Sequence, residues 1–258
     1  MRKIFSIIIA LSLPFLSFAQ KSRAEKQELK RERINAIIRQ EEEGVITFTK
    51  SVAFGGNLAT DGYGIFIEWG SAKSVNKALL FQVSLSERKD KREEKLNGAY
   101  PYSTPLIYGK INYVYPLKIG VQQQFLLGNK SNKNGVSVTA NAGGGLSASL
   151  LRPYLVQVER NFDIEYIKYS EADRFDFLYR PVGGPSFSTG WGDMKITPGA
   201  YAKAAVRFDY GRFNEMISAL ETGVNVEYYT KAIPQMVDAK QKSFFFNAYV
   251  ALIFGKRK

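Results

Sequence analysis

The chain has 258 residues, with 36 Lys and Arg against 24 Asp and Glu, a net charge of +12, and neither histidine nor cysteine. Without those two residue types, Ser-His-Asp and Cys-His catalysis are excluded, and so are disulfides and the usual nitrogen- and sulfur-ligated transition-metal sites. The length fits one domain.

Residues 1–19 read as a secretory signal peptide: Arg2 and Lys3 precede the apolar run Ile4 to Phe15, and Ser17 and Ala19 put small residues at the −3 and −1 positions of a cleavage site. Removing Arg2 and Lys3 with this segment lowers the net charge by two, to +10. Export argues against nucleic acid as a partner and favours a membrane surface or an anionic envelope polymer. No Cys follows the signal, which excludes a lipoprotein anchor. No later apolar run is long enough for a transmembrane helix, so any crossing of a membrane falls to closed β-structure. Residues 20–44 form a charged periplasmic leader whose only sizeable apolar side chains are Leu29, Ile34, Ile37 and Ile38. Such a stripe is too thin to bury, and it predicts a solvated helix or a spacer.

From Val45 the chain alternates with period two, the signature of β-strands. VITFTKSVAFGGNL places Ile46, Phe48, Val52, Phe54 and Leu58 on one parity, with Lys50 a misfit that either snorkels to an interface or marks a bulge. After a turn at Thr60-Asp61-Gly62, Tyr63, Ile65, Ile67 and Trp69 alternate with Gly64, Phe66, Glu68 and Gly70. The aromatic ends of that run suit the interfacial girdles of a membrane barrel. A third strand is expected near 77–86, followed by the polar loop 87–105. The fourth, near 107–127, carries Lys110 and Lys118 on its polar parity, and Pro116 predicts a bulge or bend. The fifth starts at Val136, and its polar parity is nearly all Gly, Ser and Thr. Residues 159–197 form the longest irregular segment, a length that is usually functional or disordered. YAKAAVRFDY (201–210) and residues 220–229 are strands six and seven. Paired as a hairpin, they put Lys203 and Arg207 on one face with Glu221 and Glu227. FFFNAYVALIF (244–254) is the eighth.

Runs of about 10 residues match a tilted strand crossing a bilayer. The expected fold class is all-β: an antiparallel up-and-down transmembrane β-barrel of about eight strands over residues 45–258, behind a polar helical leader. An even count puts both termini in the periplasm. Segments 60–62, 87–105, 159–197 and 237–242 then lie outside, and the short segments 71–76, 129–135 and 211–216 face the periplasm. Alternation fits a soluble lipocalin-like barrel equally well, with the apolar parity inside. Against that secreted reading stand the small polar face of strand five, which suits a narrow lumen, and the polar-parity charges. Lys110, Lys118, Lys203 and Arg207 balance Glu68, Asp209, Glu221 and Glu227, as a structural ion network enclosed in a lumen would require.

The aromatic terminal strand ending at Phe254 supplies a third argument. Here the chain resembles small outer-membrane barrels of the OmpA, OmpX and OmpW type, in pattern over residues 45–258. The resemblance implies an outer-membrane location, surrounding lipid as an environment, and insertion by the barrel-assembly machinery, which reads a terminal aromatic. Phe254 matches that position, although Gly-Lys-Arg-Lys follows it. Outer-membrane barrel enzymes (lipid A acyl-modifying enzymes, the phospholipase, the omptin proteases) use a catalytic His, which this chain lacks, so no enzyme, cofactor or metal is expected. The expected role is structural or interactive. The candidate partner-binding loop is 159–197, with Phe162, Tyr166, Tyr169, Phe175, Phe177, Tyr179 and Trp191, residue types enriched at binding hot spots. The other reading of that loop is a self-packed cap over the barrel mouth. An envelope protein is the partner class considered. The alternative function is a channel for small hydrophobic molecules, which an extra hairpin within 162–179 would favour.

Overall fold

A computed structural model describes residues 27–28, 31–32, 49–74, 76–97, 104–130, 135–160, 162–211 and 215–258. The chain divides into two units, residues 1–47 and 48–258. In the first, Gln27, Glu28, Arg31 and Glu32 are helical and exposed. The signal peptide, most of the leader, and Ile46 and Phe48 of the first expected strand lie outside the described residues.

In the second unit, eight long strands close a barrel. They are β1 (Lys50–Ala59), β2 (Gly62–Ser74), β3 (Lys77–Arg88), β6 (Asn112–Gly128), β7 (Ser137–Pro153), β11 (Lys195–Asp209), β12 (Met216–Ile233) and β13 (Lys242–Arg257). Around the ring the order is β1-β13-β12-β11-β7-β6-β3-β2, every neighbouring pair antiparallel. The first and last strands form the closing seam, from Ser51↔Arg257 to Ala59↔Tyr249. Closure leaves no edge strand in the wall. Among the described residues no helix is long and apolar enough to cross a membrane.

Side chains on each strand follow the sequence parity. Val52, Phe54, Leu58, Ile65, Ile67, Trp69, Phe81, Leu85, Leu146, Val224, Phe246, Val250, Leu252 and Phe254 are exposed, while Glu68, Gln82, Gln122, Asn141, Arg207, Glu221, Asn225 and Glu227 are buried. A soluble barrel would have the reverse polarity, so the secreted lipocalin-like reading is overturned. Large exposed apolar surface is tolerable only where something other than water covers it.

Two local expectations each resolve against a bulge. Pro116 makes no bulge: the β6–β7 register runs unbroken from Asn112↔Pro153 to Leu126↔Thr139, and its one irregularity lies between Leu126 and Gly128. Pro116 is tolerated because the β3–β6 ladder skips it, passing from Leu85↔Leu117 to Arg88↔Val114. Lys50 needs no bulge either. It opens β1 opposite Ser71, exposed at the rim.

The loops divide unequally between the two ends. At the turn end, which also holds the start of β1 and the end of β13, the connections are short: 75–76, 129–136 and 210–215. At the loop end lie the tight turn at Thr60–Asp61 and three longer connections, 89–111, 154–194 and 234–241. The third of the four is not irregular. It holds β8 (Leu155–Arg160), β9 (Asp163–Lys168) and β10 (Pro181–Gly183), a three-stranded sheet of order β10-β8-β9, with the short helix α1 (Arg174–Tyr179) between β9 and β10. The connection 89–111 adds the two-residue pair β4 (Lys95–Leu96) and β5 (Leu106–Ile107). The hairpin β8–β9 therefore stands apart from the barrel and leaves the wall at eight strands.

Candidate functional site: the charged lumen and its cap

Along β12 the inward positions are Ile217, Ala219, Glu221, Gly223, Asn225, Glu227 and Tyr229, so one strand samples the lumen from turn end to mouth. Nearest the turn end, Ala53, Ala205, Ile217, Ala219, Ala251 and Ile253 pack with Phe66 and Tyr249 as an apolar floor. Above it, Glu221 takes Lys203 Nζ at 3.0 Å, and Arg207 donates from Nε at 2.8 Å and lies 2.7 Å away through Nη2. Arg207 also holds Glu68 in a two-pronged pair at 2.8 Å per contact. Tyr249 and Asn141 donate the remaining hydrogen bonds to Glu221, at 2.8 and 2.9 Å. Nearer the mouth, Glu227 Oε1 accepts from Arg88 and Lys118, both at 2.8 Å, and from Asn225 at 2.7 Å. Tyr229 donates to the other oxygen at 2.6 Å, and Arg88 reaches on to Asp61 at 2.7 Å.

Of the eight charges expected to share the lumen, Glu68, Lys118, Lys203, Arg207, Glu221 and Glu227 come together. The register explains the pairing: Arg207 lies opposite Glu221 across β11–β12, whereas Lys203 lies opposite Asn225 and bends to Glu221. The other two sit elsewhere. Asp209 lies at the turn-end rim, bound to Arg257 and 3.7 Å from Lys130. Lys110 lies in the loop before β6, where its Nζ meets Glu93 at 2.6 Å and the Tyr113 ring centroid at 4.3 Å. Burial drives the Lys110 ammonium below the usual lysine range, against the upward pull of its hydrogen bond to Glu93. Arg88 and Asp61 take their places in the lumen, keeping its charge balanced. Sequence reasoning missed both because each stands at a strand end that reads as loop.

The glycines of strand five have a packing role. Gly145 and Gly120 are adjacent on β7 and β6, and Tyr201 on β11 pairs with Gly145. A Cβ built on Gly120 would come within 2.5 Å of the Tyr201 hydroxyl oxygen and 2.4 Å of the Gly144 carbonyl oxygen. The ring thus occupies the space that side chains on β6 and β7 would fill. A void of about 50 Å³ bordered by Phe66, Gln82, Arg88, Lys118, Lys203 and Tyr249 has room for a few waters. Among the described residues no group of three or more carboxylates is placed to hold a metal ion.

Over the mouth, Leu106, Ile107, Tyr154, Val156, Val158, Phe177 and Leu178 form a separate apolar core, joined by Tyr113, Ile167, Tyr169 and Val237. The Tyr154 hydroxyl accepts a hydrogen bond from the Ile107 amide at 2.7 Å. The loop aromatics accordingly split. Phe177 is buried in this core and Tyr169 packs edge-on against it, 5.4 Å between centroids. Trp191 stacks on Tyr115 at 5.9 Å. Phe162, Tyr166, Phe175 and Tyr179 face solvent, with Phe162 97% exposed, and Phe187, which was not anticipated, joins them. Ion pairs tie the segment together: Arg160 meets Asp176 at 2.6 Å and Asp173 at 3.1 Å, and Arg174 meets Asp238 of the 234–241 connection at 2.8 Å. Below this layer Arg152, 2% exposed, lies 4.2 Å from the Tyr113 centroid and 4.7 Å from that of Trp191, with Nη1 donating to the Phe187 carbonyl at 2.8 Å. It ties the 186–192 turn to the end of β7.

No family model matches the chain, and no curated protein does. Among solved structures the chain is similar to small outer-membrane β-barrel proteins. For Neisserial surface protein A the identity is 9%, the coverage 81% of this chain and 96% of that one, and the TM-score 0.40. The N-terminal β-barrel domain of Pseudomonas aeruginosa OprF gives 9%, 80%, 96% and 0.33. The attachment invasion locus protein Ail of Yersinia pestis gives 7%, 81%, 96% and 0.35. At such identities likeness speaks to fold alone, and the barrel rests on its closed ladder of registers.

Proposed function

We propose that the protein is a non-enzymatic barrel of the outer membrane, exported through a cleaved signal peptide and inserted by the barrel-assembly machinery, whose cap recognises another envelope protein. The observation that carries the membrane part is the polarity of the wall, with charges enclosed and bulky apolar side chains outside. Enclosing four acids and four bases is costly unless each is paired and hydrogen-bonded, and here each is. Their role is structural: they fill and lock the lumen. A channel for hydrophobic molecules is less well supported, because the wall has eight strands and the lumen is occupied by side chains.

The recognition part rests on Phe162, Phe175, Tyr179 and Phe187, held exposed by a cap that packs its other aromatics inward. A fixed apolar display on a folded base is what an interaction surface requires. In the test, membranes are fractionated and extracted with carbonate and urea, and folding is read from the boiled-versus-unboiled gel shift. Residues 155–193 are then replaced by a short Gly/Ser turn, which joins strands already paired through Lys195↔Leu151, and crosslinked partners are compared. Extraction into the soluble fraction refutes the membrane reading. A folded, capless barrel that keeps every crosslinked partner refutes the recognition reading and leaves the membrane reading standing.

A further inference from the structure

The rim of the loop end has a notch. Thr60–Asp61 is the shortest connection there, and it is flanked by the longer connections 89–111 and 234–241. Lys89 donates its amide to the Asp61 carbonyl at 2.7 Å, which fixes the floor of the notch. Between the flanking loops opens a cleft of about 490 Å³, lined on one side by Arg88 to Arg92 and on the other by Ala239 to Lys242, with Phe244 and Phe246 at its foot.

The charge of this cleft is lopsided. Asp61 is taken by Arg88 at 2.7 Å and Asp90 by Arg92 at 3.2 Å. Lys89, Lys91, Lys240 and Lys242 are exposed and have no carboxylate partner among the described residues. Arg88 is 4% exposed, held by Asp61 and Glu227 and lying 4.2 Å over the Phe245 ring, so the accessible positive charge is that of the lysines. The foot is of opposite character: Phe244 and Phe246 are 54% and 61% exposed on the outward face of β13, continuous with Val250, Leu252 and Phe254. A ligand that spans both must carry negative charge at one end and apolar chains at the other.

We infer that the cleft seats the phosphate headgroup of an anionic lipid of the surrounding leaflet, its acyl chains lying along Phe244 and Phe246. This rests on the membrane reading of the barrel. A basic cluster beside a bilayer attracts anionic headgroups through the summed charge of its lysines.

The chain has no native cysteine, so Gln241→Cys gives a single label site on the cleft wall. The labelled full-length protein is inserted into phosphatidylcholine vesicles containing increasing amounts of brominated phosphatidic acid or, in parallel, brominated phosphatidylcholine. The expected result is half-maximal quenching at a mole fraction on the order of tenfold lower for the phosphatidic acid. Inorganic phosphate at matched ionic strength is expected not to relieve the quenching. Replacing Lys89, Lys91, Lys240 and Lys242 by Gln should abolish the preference, whereas replacing Lys50, Lys73, Lys256 and Lys258 at the opposite rim, the same loss of charge, should leave it. Equal quenching by the two lipids in the inserted, unsubstituted protein overturns the proposal. So does equal loss in both quadruple variants, which means bulk attraction without a site, or relief by inorganic phosphate, which means a site for the free anion. Failure to insert into vesicles would instead refute the membrane reading.

Discussion

Glu221→Gln is the most informative single change in the lumen. Glu221 is fully buried and accepts from Lys203, Arg207, Tyr249 and Asn141 at 2.7–3.0 Å. The amide is isosteric, so no cavity opens, and the cost is electrostatic. Arg207 keeps its two-pronged contact with Glu68, but Lys203 keeps no carboxylate, with only the Gln82 side-chain oxygen at 3.1 Å and the Phe66 and Tyr249 rings at 5.6 and 5.2 Å around it. Breaking one partner of a buried pair costs about 3–5 kcal/mol, and the surviving Arg207–Glu68 contact argues for the lower end, about 3 kcal/mol. Removing the stranded charge as well should restore much of it: the double variant Glu221→Gln, Lys203→Gln should be more stable than the sum of its single changes by about 2 kcal/mol. The measurement is equilibrium urea unfolding in detergent-free vesicles, scored by the boiled-versus-unboiled band. A loss below about 1 kcal/mol, or strict additivity of the two changes, would refute the claim that this layer is a coupled charge network.

Parity offers a second test: Val224→Arg, on the outward face of β12, should cost about 2–4 kcal/mol in a bilayer. Single cysteines at 222, 224 and 226 should react with membrane-restricted labels while those at 221, 223 and 225 do not, and the opposite pattern would mean an inverted wall. Gly120→Val forces the Tyr201 ring from its place and should lower stability by about 1–3 kcal/mol; an unchanged urea midpoint would show that the lumen has slack there. In the cap, hydrogen bonds from Ser170 and then Arg160 hold the Asp173 carboxyl below its ordinary 3.8. A depressed carboxylate contributes stability above its unfolded value and loses it as pH falls through the folded one. Amide exchange over 170–180, corrected for intrinsic rates, should therefore be flat from neutrality to about pH 4 and faster below, with Asp173→Asn abolishing the acid limb. Exchange that stays flat in acid would show that this carboxylate does not order the cap.

The wall was legible because one physical constraint, opposite environments on the two faces, writes itself into every second residue. Phe246, Ala248 and Val250 against Asn247, Tyr249 and Ala251 needs no partner to be read. The lumen was legible only in part. Parity identifies Arg207 and Glu221 as inward, but pairing depends on which strands meet across the barrel. Glu68 and Arg207 are 139 residues apart, and nothing local joins them. The cap was the least legible. Tyr169 and Phe177 look like Phe162 and Phe175 in sequence, and what separates them is a core completed by Leu106 and Ile107 from another loop. Short strands such as Pro181–Gly183 carry too few alternations to stand out.

The seam also bears on what the chain exposes before it folds. Ser51 pairs with Arg257, so the open side of the first strand stays uncovered until β13 is available to close the ring. The entropic cost of joining such distant partners grows only logarithmically with the span, but the waiting is long and unpaired. Until the ring closes, the apolar side chains of Val52, Phe54 and Leu58 lie beside an exposed ladder edge, the combination that most readily templates aggregation. Escort by a holding chaperone, or assembly on a surface that supplies a temporary neighbour to β1, is therefore a demand made by the topology itself.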